Sequence, residues 1–189
     1  MIVLAVISLI PEQDTYLSEL NSDLCYGGSP YLYIASSAGS GNGFQTLIRY
    51  NSCNNFFQNS IPSDSVISLA ELDVYVSVNQ IPVGESITLN IAPVLEAWDD
   101  AVITWNNKPQ VASAIVTATI ASGFFGTISV GVTNLVNEWY TGSLLSNGIL
   151  LSATSSGNWL IGFNSRESPN TAFWPRLNIT YSQYFYTST

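Results

Sequence analysis

Residues 96 to 109, EAWDDAVITWNNKP, bring the chain's most chemically capable side chains into one short stretch. Glu96, Asp99 and Asp100 are carboxylates, Trp98 and Trp105 are large flat rings, and Lys108 is one of four basic residues, the others being Arg49, Arg166 and Arg176. Three chemistries use such a set. Two carboxylates facing each other across a cleft can hydrolyse a glycoside. A tryptophan face can stack on a pyranose ring. Carboxylates together with loop oxygens can hold calcium. Hydrolysis fits the spacing poorly, because the adjacent Asp99 and Asp100 would point to opposite faces of a strand. Trp98 and Trp105 sit beside apolar Ala97 and Ile103 and read first as corner residues of a β-sandwich. Asn106 and Asn107 would then satisfy backbone groups in a turn ended by Pro109. Asp99 and Asp100 would cap that turn or contribute to a calcium site completed by neighbouring loops.

A second stretch, SRESPNTAFWPR, pairs Arg166 and Glu167 with Trp174 and Arg176. It reads either as an arginine fork beside an aromatic ring for a small ligand, or as a connection pinned by ion pairs and arginine stacking on tryptophan. The connection is the better reading. Arg49, between Ile48 and Tyr50 in a strand, is expected to pair with a carboxylate such as Asp14 or Asp73. Cys25 and Cys53 are either a disulfide, stabilising by about 3–4 kcal/mol on a chain-entropy basis, or two small buried side chains.

The chain has no histidine. That removes the commonest general base near neutral pH and every Ser-His or Cys-His mechanism. Two cysteines without histidine make no zinc-like ligand set. No acid–base constellation is visible, so the expectation is a non-catalytic protein without a cofactor, calcium being the one candidate metal. The net charge is −9 and the four basic residues are scattered. Nucleic-acid binding needs clustered cations, and so does attraction to an anionic membrane surface. The first residues, MIVLAVISLIPEQDTY, have no basic segment ahead of the apolar run, which is short for a membrane span. They read as a strand followed by a turn.

These residues must be positioned by β-structure. Charged residues are only 9% against roughly 25% in ordinary soluble domains. Ten candidate strands are separated by Gly, Ser, Asn and Pro: 2–10, 31–36, 44–51, 70–78, 86–93, 114–120, 126–132, 147–154, 159–164 and 175–182. Strict alternation puts Leu72, Val74 and Val76 on one face, and likewise Ile87, Leu89 and Ile91, so these six form the expected core. The segment VTNLVNEWYTGS has helical spacing, with Thr133 as N-cap and Gly142 as stop; APVLEAW suggests a further single turn. The pattern predicts one domain over residues 1–189, an all-β, single jelly-roll β-sandwich of about ten antiparallel strands with one or two short helices.

The order of motifs resembles the DNRLRE-type β-sandwich domains, a family related to carbohydrate-binding modules. The resemblance is carried by ISLIPEQDTYLSELNSDLCYGGSPYLYIAS, TLIRYN, EAWDDAVITWNNKP, VTNLVNEWYTGSLLSNGILLSA and FNSRESPNTAFWPRLNITY, and it covers roughly residues 3 to 182. It implies a jelly-roll sandwich of extracellular and surface proteins, one branch of which recognises acidic polysaccharides such as alginate. An acidic glycan calls for several Lys or Arg, and this chain has four.

The leading functional expectation is a structural protein, extracellular or on a cell or spore surface, that assembles with copies of itself into a filament, appendage or coat. The charge-poor composition and the apolar ends motivate it. Residues 1–10 carry Met1, Ile2, Val3, Leu4, Val6, Ile7, Leu9 and Ile10, apolar on both faces of a strand, as if buried between two surfaces. This N-terminal strand is the expected assembly element. The alternative is a carbohydrate-binding module that recognises polysaccharide through exposed aromatics such as Trp159, Trp174 or Tyr33.

Overall fold

The computed structural model of the chain describes residues 2–37, 39–50 and 56–184. It is a sandwich of two antiparallel sheets. The strands are β1 (Ile2–Leu9), β2 (Gln13–Ser18), β3 (Tyr31–Ile34), β4 (Phe44–Arg49), β5 (Val66–Asn79), β6 (Ser86–Pro93), β7 (Val116–Ala121), β8 (Gly126–Gly131), β9 (Ile149–Thr154), β10 (Ile161–Asn164) and β11 (Arg176–Tyr184). Two helices accompany them, α1 (Phe56–Ser60) and α2 (Thr133–Thr141). One sheet runs β1-β11-β5-β10-β3, with β8 also paired to β5; the other runs β2-β4-β9-β6-β7.

The expected jelly-roll sandwich is thus what forms, and period-two alternation is the reason. Leu72, Val74, Val76, Ile87, Leu89 and Ile91 are all at most 1% exposed and share the main core with Ile34, Ile48, Phe163 and Ile179. Each such side chain contributes roughly 1.5–3 kcal/mol by leaving water. A smaller second core of Leu17, Leu47, Val94, Trp98, Ile103 and Leu150 lies on the other face of the β2-β4-β9 sheet. The connection from Val94 to Pro109 covers it.

Local expectations fail where a distant partner takes over a residue. The segment read as a turn, PEQDTY, enters β2 at Gln13, because Gln13 to Ser18 pair in register with Arg49 to Phe44. APVLEAW forms no helical turn; Ala92 and Pro93 end β6 and Val94 bridges to Val111. Thr133 does not cap α2. The N-cap is Val132, and the Thr133 hydroxyl accepts instead from the Ala70 N–H at 2.9 Å, tying α2 to β5. Gly142 does stop the helix, at φ 75°, the left-handed conformation glycine adopts freely.

The N-terminal strand takes a place that differs from the expectation. β1 is an edge strand of its own sheet, paired with β11 from Ile2↔Tyr184 to Leu9↔Leu177. It is not enclosed between two surfaces: Ile7 and Leu9 pack on the main core, whereas Leu4 is 67% and Val6 64% exposed.

Candidate functional site

The two sheets meet along one edge of the sandwich, where β3 comes against β4. Ala35 and Phe44 form a bridge, and the Thr46 hydroxyl donates to the Tyr33 carbonyl at 2.9 Å. Along β3, Leu32 and Ile34 fill the main core, so Tyr31 and Tyr33 must turn outward. Opposite them in β10, Ile161 and Phe163 face the core and Gly162 faces out. A β-carbon on Gly162 would sit 3.0 Å from Tyr33 Cε1 and 2.9 Å from Val78 Cβ, so glycine is what lets the Tyr33 ring lie down on the sheet. From β2 comes Tyr16, from the loop after it Tyr26, and from β4 Phe44.

The five rings form a continuous ribbon. Tyr16 stacks on Tyr26 with centroids 4.2 Å apart, meets Tyr33 edge-on at 5.0 Å and lies 5.9 Å from Phe44; Tyr33 is 6.1 Å from Phe44 and 6.2 Å from Tyr31. None of the five belongs to either hydrophobic core. Burial, then the neighbouring Tyr26 and Tyr33, pushes the Tyr16 phenol up to about 12; burial and Tyr31 raise Tyr33. These two phenols therefore keep their protons, and their neutral hydroxyls can both donate and accept.

A polar cluster fastens the base of this edge. Asp14, two residues before Tyr16 in β2, is 1% exposed; its Oδ2 accepts the Arg166 N–H at 2.9 Å, and its carboxyl shares a side-chain hydrogen bond with Glu167. Burial pushes the Asp14 carboxyl up to about 8, against the lowering effect of the Arg166 hydrogen bond and with a further raising contribution from Glu167. Glu167 in turn is paired with Arg166 at 3.0 Å. Two stretches far apart in sequence, Asp14-Thr15-Tyr16 and Ser165-Arg166-Glu167, thus interlock. The loop carrying Tyr26 is held at Gly27, where a β-carbon would meet the Asp100 carbonyl oxygen at 2.5 Å.

Residues 5–181 match the model of carbohydrate-binding module family 96. The chain belongs to this family. Among solved structures, one match is the Clostridium thermocellum N-terminal endo-1,4-beta-D-xylanase 10B, its CBM22-1–GH10 modules complexed with xylohexaose. It is 12% identical with a TM-score of 0.31, and the match covers 97% of this chain and 30% of that one. The chain thus spans under a third of that protein. No curated protein matches.

Of the aromatics picked out from the sequence of this family 96 module, only Tyr33 stands in the ribbon. Trp159 is half-buried, packed against the main core, with its indole lying over Gly157 of its own turn. Trp174 is half-buried with Nε1 donating to the Ser168 carbonyl at 2.8 Å, and lines a cleft of about 60 Å³ with Tyr75, Phe173 and Arg176. A larger groove of about 370 Å³ lies at the opposite edge of the sandwich, between Val116, Gly131 and the start of α2, and has no aromatic lining.

The opening stretch forms the corner of the sandwich. Trp98 is 6% exposed and donates to the Asn147 carbonyl at 2.8 Å; Trp105 packs on the second core beneath Lys108, whose Nζ is 3.5 Å from the ring centroid. Asp99 Oδ1 accepts the Ala101 N–H at 2.9 Å and so caps its own turn. Asp100 turns its backbone to Gly27, and no group of three acidic or cysteine side chains able to hold a metal converges among the described residues. Arg49 makes no ion pair with Asp14 or Asp73 among the described residues; its guanidinium lies 5.2 Å over the Trp98 ring and donates to Gln13 Oε1. Alternation points Arg49 to the second core and Asp14 to the opposite face, which is why the expected pair does not form. Cys25 is exposed, and Cys53 lies outside the described residues. The ribbon partners Tyr16, Tyr26, Tyr31 and Phe44 escaped sequence reading. The one local signal for them was Tyr31-Leu32-Tyr33, two aromatics on the outward face of a strand whose other face is apolar.

Proposed function

We propose that this module binds polysaccharide along the aromatic ribbon of β2, β3 and β4. The observation that carries the proposal is five rings in mutual contact outside both cores, on an edge whose backbone is fastened from several sides. Membership of a carbohydrate-binding module family supplies the ligand class. The stretches that resemble DNRLRE-type domains support it, since Asp14-Thr15-Tyr16 and Tyr26-Gly27 build this edge. Pyranose C–H faces would stack on the ring faces, and sugar hydroxyls would exchange hydrogen bonds with the phenols. The role is binding without catalysis, and the setting is extracellular or a cell or spore surface, where polysaccharides occur. Affinity electrophoresis through polysaccharide-containing gels tests it. Tyr16→Ala and Tyr33→Ala should each lose at least tenfold in affinity, while Trp159→Ala and Trp174→Ala should not. Retention of full affinity by the Tyr16→Ala/Tyr33→Ala double variant would overturn the site.

A second reading is self-assembly through β1, favoured by the open edge of that strand. Leu4 and Val6 face outward across from Ser182 and Thr180, which in turn face Val66 and Leu69 of β5, both exposed. This patch is uncharged, and β1 contains neither lysine nor proline to discourage pairing with another strand. A second copy adding its own β1 across a two-fold axis would extend the sheet through main-chain hydrogen bonds. Deleting residues 2–8 tests this reading. A folded monomer from a self-associating parent supports it, and a parent that is monomeric at high concentration ends it.

A further inference from the structure

We infer that the ribbon selects neutral polysaccharides, chains of equatorially substituted pyranoses without uronate or sulfate groups; the inference rests on the ribbon being the glycan site. The first ground is the fate of the cations. Recognition of an anionic chain needs guanidinium or ammonium groups free to meet it. The protein has four, and each already has a partner. Arg49 lies over Trp98 and donates to Gln13, on the face of β4 turned away from Phe44. Lys108 sits over Trp105 and donates to Gln45 at 3.2 Å, on that same face. Arg166 is paired with Glu167, and Arg176 donates to the Thr171 carbonyl beside Trp174.

The second ground is the charge that does border the ribbon. At the Phe44 end, Glu19 Oε2 accepts the Gly43 N–H at 2.8 Å, which fixes a carboxylate next to the ring. At the Tyr26 end, Gly27 rests against Asp100. Glu19 acts on Lys108 and Asp100 on Arg166 and Arg49, so these carboxylates already hold the nearest cations, and the chain as a whole carries −9. An anionic chain would have to compete with these carboxylates for the same cations.

The third ground is what the ribbon offers in place of charge. The Tyr31 and Tyr33 rings, 6.2 Å apart and tilted by 33°, can meet the apolar C–H faces that equatorially substituted pyranoses expose on both sides. The phenols supply neutral donors and acceptors. Such binding depends on apolar burial and hydrogen bonds, so it should be insensitive to salt.

The test is calorimetric titration of the intact chain with cellohexaose and mannohexaose, and with the hexamers of mannuronate and galacturonate, each at low and high salt. The same titrations are run on Tyr33→Ala, with thermal melting to confirm that the variant is folded. The expected result is binding of one or both neutral hexamers that is indifferent to salt and at least tenfold weaker in Tyr33→Ala. The uronate hexamers should not bind. Uronate binding that Tyr33→Ala weakens and salt abolishes would overturn the neutral class while leaving the ribbon as the glycan site. Failure of all four hexamers, or neutral binding untouched by Tyr33→Ala, would overturn the ribbon reading and this inference with it.

Discussion

Replacing Asp14 by asparagine should make this protein more stable near neutral pH. Asp14 is 1% exposed, with one carboxyl oxygen held by the Arg166 N–H and a side-chain hydrogen bond shared with Glu167. Burial, reinforced by Glu167, raises its carboxyl from the ordinary 3.8 to about 8. A carboxyl raised in the folded state stabilises fully below the unfolded value and loses that contribution as pH rises through the folded value. Across the window from about pH 4 to about pH 8 the folded protein must hold a proton that the unfolded chain would release. At about 1.4 kcal/mol per pH unit, the cost near pH 7 is on the order of 4 kcal/mol. Asparagine has no proton to hold. Its carbonyl can still accept the Arg166 N–H, and its amide can donate toward Glu167. The Asp14→Asn variant should therefore gain up to about 4 kcal/mol near pH 7, a rise on the order of 10 °C in Tm for a chain of this size, and the gain should shrink toward zero near pH 4. Urea unfolding across this pH range measures both. A variant less stable than the parent near pH 7, or two stability profiles that run parallel with pH, would refute the reasoning and mean that Asp14 is ionised and paired.

Trp98→Ala removes a buried ring, its hydrogen bond to the Asn147 carbonyl and the cover over Arg49, and should cost about 3–5 kcal/mol in denaturant unfolding. Gly162→Ala should cost about 1–3 kcal/mol by overpacking against Val78. It should also weaken glycan binding by lifting the Tyr33 ring, a loss read by titration at a temperature where the variant is folded. Leu4→Lys should leave stability within about 0.5 kcal/mol, since the side chain is 67% exposed, and should abolish any concentration-dependent association seen by sedimentation. Glycan affinity should stay flat from about pH 5 to about pH 7, below the Asp14 carboxyl at about 8 and far below the Tyr16 phenol at about 12; a midpoint inside that range would assign binding to other groups.

Much of the fold was legible because β-structure writes its faces into the chain with period two. Leu72, Val74, Val76, Ile87, Leu89 and Ile91 announce one apolar face each, and burial of that face drives the sandwich. The glycine stop of α2 was equally local, a matter of one residue's conformational freedom. The cap of the same helix was not, because the Thr133 hydroxyl meets Ala70, a partner 63 residues away. Arg49 went to Trp98 and Gln13 for the same kind of reason: strand alternation fixed its face, and only the folded loop showed which ring lay there.

By itself the sequence determined that this is an all-β protein, that histidine-based catalysis is closed to it, and that its surface is poor in charge and short of cations. Those properties are sums over residues or local periodicities, and no folding can alter them. The tertiary structure decided the rest: that β1 is an open edge rather than an enclosed strand, that Trp98 is core, and that Tyr16, Tyr26, Tyr31, Tyr33 and Phe44 stand together. Those rings come from three strands and a loop, each apolar or mixed in pattern and each unremarkable alone. They meet because β3 ends one sheet beside β2 and β4 of the other, and pairing between distant strands is set by how whole faces pack, which no single segment encodes.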